Sequence, residues 1–232
     1  MTGRTDPRVE EALREAERTV AGGRGLGGTG FWRAVGLLRR DPVLAEAYAA
    51  RVAEIDRRAF ENGVRLRLPA SAGVAGLAVL TGGGAAAVAL SGKLDDLSQT
   101  LVFLGGFGSL LVGSHSLTHW LVGRAAGMRF THVFLGGPPP PRPGLKVDYA
   151  TYLTKSPRTR AVMHASGAVV TKVVPFALMP AASGLQARRW LVPGLAVVGV
   201  VQILTDLLFS TKTSDWKKVR RELRAGRSIR GG

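Results

Sequence analysis

The sequence predicts an all-α polytopic membrane protein with four transmembrane helices, a helical N-terminal region and a short strand-like segment in a cytoplasmic loop. Three observations lead there. Apolar residues make up 46% of the 232-residue chain and collect in long runs between positions 70 and 210. Those runs hold almost no charge, whereas the 32 Lys and Arg, against 16 Asp and Glu, gather between and beyond them. Basic segments flanking uncharged apolar runs are the pattern of membrane topology. A net charge of +16 would by itself suit a nucleic-acid binder. The basic tail carries no recognisable nucleic-acid module, so membrane lipid rather than nucleic acid is the expected contact. The chain has no cysteine, which excludes disulfides, thiolate metal sites and thiol nucleophiles.

Residues 1–69 are expected to form a cytoplasmic helical region. Asp6-Pro7 opens a helix: Asp6 caps it, Pro7 suits its first position, and Glu10 and Glu11 favour its positive end. Val9, Leu13, Ala16 and Val20 make one apolar stripe. The run 22–30 has six glycines and reads as a flexible linker. From Phe31 to Arg40 apolar residues alternate with Arg33, Arg39 and Arg40. That pattern fits a helix lying on an anionic membrane surface and equally an ordinary packed helix. Asp41-Pro42 starts another helix, Asn62-Gly63 ends it, and 64–68 alternates like a short strand.

A bilayer crossing needs about 20 apolar residues. Four stretches qualify, at about 70–91, 97–123, 161–182 and 190–210. The first residues are charged and polar, which predicts no signal peptide. The 124–160 loop has seven basic residues and one acid, and the tail 211–232 has eight and two. The 92–98 loop has one Lys and two Asp. The positive-inside rule then places both termini and the middle loop in the cytoplasm, with the chain multi-pass in the cytoplasmic membrane. Arg188 and Arg189 fall on the outside, against the trend. Within the middle loop, 128–135 is strand-like. The proline run 136–144 that follows should break regular structure and act as a stiff connector.

Candidate chemistry sits inside the spans. His115 and His119 are four apart in the second span, so a helix presents both rings on one face, one turn apart. Two imidazoles so placed suit one Zn²⁺. Asp206 is the only acid in any span, and an intramembrane carboxylate at a cost of about 2.5–3.5 kcal/mol needs a partner. Counting about 1.5 Å per residue, His119, Asp206 and His164 all lie roughly 5–7 Å inside the cytoplasmic boundary. Three helices thus bring polar groups to one level. The same residues also fit a bundle in which the histidines bond backbone or hydroxyl groups and Asp206 pairs with a His or with Lys172.

The stretch Gly113-Ser114-His115-Ser116-Leu117-Thr118-His119, followed by Gly123 and Phe130, resembles the signature helix of the site-2 protease family of intramembrane zinc metalloproteases. That family carries H-E-x-x-H, a small-residue stretch ending in Gly, then a strand-like segment. Residues 156–167 are similar to the start of its next core helix. The resemblance covers about 97–216. It implies a site-2-protease-like core, with zinc held by His115, His119 and Asp206; His164, on the next helix, is a candidate for either a fourth ligand or a base. It also implies a transmembrane protein as substrate or partner. Ser116 stands where the family has its catalytic Glu, and a serine hydroxyl is no competent base near neutral pH.

Three functional expectations follow. The first is a proteolytically impaired metal-binding protein, a pseudoprotease or regulator of a membrane partner. The second is an active zinc metallopeptidase using another base such as His164. The third is a non-enzymatic membrane scaffold.

Overall fold

The computed structural model describes residues 5–136, 142–185, 189–208 and 214–230. Residues 137–141 of the proline run, Arg188 and the 209–210 end of the fourth expected span lie outside them. The chain folds as two compact units. The first takes residues 1–73, 123–161 and 220–232; the second takes 74–122 and 162–219.

In the first unit, helix α1 (Pro7–Ala21) starts as its sequence dictates, with the Asp6 carboxylate accepting the Arg8 backbone N–H at 2.9 Å. Its stripe of Val9, Leu13, Ala16 and Val20 is buried. Segment 22–30 folds as a loop rather than trailing as a linker: Leu26 is buried, and the Thr29 hydroxyl donates to the Leu26 carbonyl. Helix α2 (Phe31–Leu38) buries Phe31, Ala34, Val35 and Leu38 against its neighbours and leaves Trp32 half exposed. Helix α3 (Pro42–Gly63) begins at the Asp41 cap and ends where Asn62-Gly63 predicts. Its Arg51 bridges Glu10 and Glu17 of α1, each at 2.7 Å.

The chain is mostly helical, as expected, and the strand-like segments join a small three-stranded antiparallel sheet, order β1-β2-β3. Strands β1 (Leu66–Pro69) and β2 (Phe130–Gly136) fall on the two strand-like segments, paired Leu66 to Leu135. Strand β3 (Arg142–Val147) overturns the expectation that the proline run breaks structure through residue 144. β3 pairs only with β2, and an edge strand tolerates Pro143 because the missing N–H costs no ladder bond on its free side. Gly144 is required there: a Cβ would come within 2.8 Å of the Phe134 ring opposite.

Short helix α6 (Tyr149–Tyr152) and the C-terminal part of α10 (Asp215–Arg230) complete this unit around a buried ion network. Glu222 is fully buried and accepts from Arg160 Nε at 2.6 Å and from the Tyr152 hydroxyl at 2.9 Å. Arg160 spends its other N–H groups on the carbonyls of Leu153, Lys155 and Arg39. A buried charge pair persists only when its remaining donors are satisfied in this way.

The second unit holds most of α4 (Ala70–Ser91), α5 (Asp96–Ala125) and α7 (Pro157–Ala177), together with α8 (Met179–Ser183), α9 (Leu191–Leu208) and the start of α10. Among the described residues, three helical stretches are long and apolar enough to cross a membrane: Ala70–Ser91, Leu97–Ala125 and Pro157–Ser183. The fourth expected span is a shorter apolar helix. Small residues explain the Ala- and Gly-rich composition of α4. A Cβ on Gly84 would lie 2.8 Å from the Gly106 carbonyl of α5, so the two backbones touch, as membrane helices do where glycines meet. Phe103, Phe107, Leu191 and Leu195 form the apolar centre. Val79, Leu101, Val112, Val173, Val197 and Val201 point outward. Outward apolar faces of this extent are what lipid contact requires.

Candidate metal centre

Three ligand-type side chains converge in the second unit: His115, His119 and Asp215 each offer an atom, and these atoms lie within 4.8 Å of one another. The two histidines come from one face of α5, their ring centroids 4.7 Å apart and nearly perpendicular. Asp215 is the first residue of α10. Its Oδ2 lies 3.3 Å from His115 Nε2 and 3.1 Å from His119 Nε2. Helix α7 supplies the support. The Met163 carbonyl is 2.6 Å from His119 Nδ1, and one turn on, Gly167 presents bare backbone to the same ring.

The tautomer follows from chemistry. A carbonyl oxygen only accepts, so Nδ1 of His119 carries the hydrogen. In the neutral ring Nε2 is then a lone pair aimed at a carboxylate oxygen. Two acceptors 3.1 Å apart repel unless a cation lies between them or the ring is protonated. In a tetrahedral zinc site with bonds of about 2.0–2.1 Å, neighbouring ligand atoms are about 3.4 Å apart. The two edges to Asp215, 3.1 and 3.3 Å, are close to that spacing, and the three atoms together span up to 4.8 Å. The outer contacts are also those of a ligand set: a histidine donating its far N–H to a backbone carbonyl, and a carboxylate whose second oxygen, Oδ1, accepts from Lys218 Nζ at 2.8 Å. His119 and Asp215 are largely buried while His115 is 35% exposed, so the trio opens on the His115 side.

The expected carboxylate is displaced by this arrangement. Asp206 forms an ion pair with Lys172 and accepts from the Trp216 indole N–H at 3.1 Å. The pairing alternative therefore describes Asp206, and Asp215, nine residues further on, supplies the carboxylate beside the rings. Asp215 lies five residues beyond the apolar run that ends at 210, outside the expected span. The visible signal was Ser214-Asp215 at the start of an amphipathic basic segment, where an acid favours a helix N-terminus. His164 is half buried on α7, next to Met163, and is not one of the three converging groups. Ser116 is buried beside His115, with a hydroxyl where the resemblance places a carboxylate. No family model matches the chain, and neither a curated protein nor a solved structure matches it.

Proposed function

We propose that the chain is a four-span protein of the cytoplasmic membrane, both termini inside, that holds one zinc ion through His115, His119 and Asp215. The single observation that supports this most is the lone pair of His119 Nε2 set against Asp215 Oδ2 at 3.1 Å, an arrangement a divalent cation relieves. Leu191–Leu208 serves as the fourth span: its 18 residues extend about 27 Å at 1.5 Å each, close to a hydrocarbon core. The donor set keeps the pattern of the site-2 protease resemblance, two imidazoles from one helix and one carboxylate from a later one. Ser116 removes the proton-transferring carboxylate, so peptide hydrolysis is impaired and the protein acts on a transmembrane partner by holding it. Zinc titration of the purified full-length protein against a chromophoric chelator tests the reading. Wild type takes up one Zn²⁺, and His119→Ala weakens it at least tenfold. Equal affinity in both removes the site. Cleavage of co-reconstituted single-span reporters by wild type, lost in His119→Ala, would instead make the protein an active peptidase.

A further inference from the structure

A second site lies in the first unit, outside the metal centre. Trp32, Gly36, Arg39 and Arg40 around α2, together with Arg221 and Ala225 of α10, line a pocket of about 300 Å³. No acidic residue lines it. Behind it Glu222 accepts from Arg160 at 2.6 Å and lies 3.3 Å from Arg39 Nε and 3.4 Å from Arg221 Nε, so a single carboxylate faces three guanidiniums. Arg39 is 93% buried, and its Nε makes no hydrogen bond although it lies 3.3 Å from Glu222 Oε1. Arg39, Arg160 and Arg221 together outweigh the single Glu222 charge and Arg40 adds another, so the pocket keeps a net positive charge that an anion would neutralise. Gly36 and Ala225 keep the floor low, and Arg40 and Arg221 stand exposed at the rim. Three guanidiniums lining one pocket suit a phosphate group in charge.

The source of that phosphate follows from two further facts. Arg160 belongs to the first turn of α7, a candidate span, and its Nη2 donates to the Arg39 carbonyl at 3.1 Å. The residue that holds the pocket's backbone thus directly precedes, along the chain, an apolar run of bilayer length. Trp32 is 51% exposed at its edge, as aromatic side chains are at a lipid headgroup layer. We infer that this pocket binds the phosphate of an anionic phospholipid headgroup. The inference rests on the membrane reading and is independent of the metal.

The test uses delipidated full-length protein in detergent and native mass spectrometry, with phosphatidylglycerol, phosphatidylcholine and inorganic phosphate as probes. Arg40→Gln with Arg221→Gln removes the rim charges. Arg14→Gln with Arg58→Gln makes the same charge change at distant exposed positions. Melting temperatures matching wild type show that both pairs fold. The expected result is one tightly held phosphatidylglycerol on wild type, preferred at least tenfold over phosphatidylcholine. That affinity falls at least tenfold in the pocket pair and is unchanged in the distant pair. Equal loss in both pairs, or none in either, overturns the site. Displacement of the lipid by millimolar inorganic phosphate overturns the headgroup as its ligand and makes the pocket a site for a soluble anion.

Discussion

Replacing Gly167 with alanine perturbs the metal centre without touching a ligand. Gly167 is buried on α7, and a Cβ built there would lie 2.7 Å from both Cδ2 and Cε1 of His119. Ordinary contact begins at 3.4 Å. Nε2 itself is nearer still, so the ring must retreat by more than about 0.7 Å, while metal–ligand distances tolerate only about 0.2 Å. Retreat also stretches the 2.6 Å contact to Met163 that fixes the ring. Loss of such a supporting contact typically costs 10–100-fold in metal affinity. Gly167→Ala is therefore expected to weaken zinc binding by at least that factor, read by chelator competition. Gly105→Ala, on α5 with nothing within 4 Å, is the control for a helical glycine and should bind as wild type does. Unchanged affinity in Gly167→Ala, with helicity intact by circular dichroism, would refute the role given to the His119 ring.

Other outcomes follow from the same contacts. Glu222→Gln leaves Arg160, only 2% exposed, without its counter-charge, and should cost about 3–5 kcal/mol in denaturant unfolding, as breaking buried pairs does; a loss under about 1 kcal/mol would show that the network is solvated. Hydrogen bonds from Arg51 hold the Glu10 and Glu17 carboxyls below their ordinary value of 4.5. Their folded pKa values being depressed, the stabilisation is present above that value and is lost as pH falls through the folded ones. Melting temperature should therefore drop on acidification below about pH 4.5, and Arg51→Met should flatten that drop. A parallel pH profile in the variant would contradict the assignment.

Where the sequence spoke clearly, local chemistry was sufficient. The α1 stripe, the Asp6 and Asp41 caps and the bounds of α4 all follow from periodicity, capping or an uninterrupted apolar run. The i, i+4 spacing of His115 and His119 likewise put the rings together, because one helix turn fixes it. What was not legible depends on packing between distant segments. β3 exists because β2 offers it an edge and Phe134 faces Gly144, which a proline run does not announce. The choice between Asp206 and Asp215 was set by Lys172, which takes up the first and leaves the second to the histidines. A depth count along the chain favours Asp206, inside the expected span, over Asp215, beyond its end, and only the side-chain partners reverse that choice.

Elemental analysis of purified full-length protein, comparing wild type with Asp215→Ala and Asp206→Asn, bears most directly on the assignment of the third ligand. If His115, His119 and Asp215 clasp one divalent ion, wild type and Asp206→Asn carry one metal per chain and Asp215→Ala carries almost none. Metal retained by Asp215→Ala, or lost from Asp206→Asn, would contradict it.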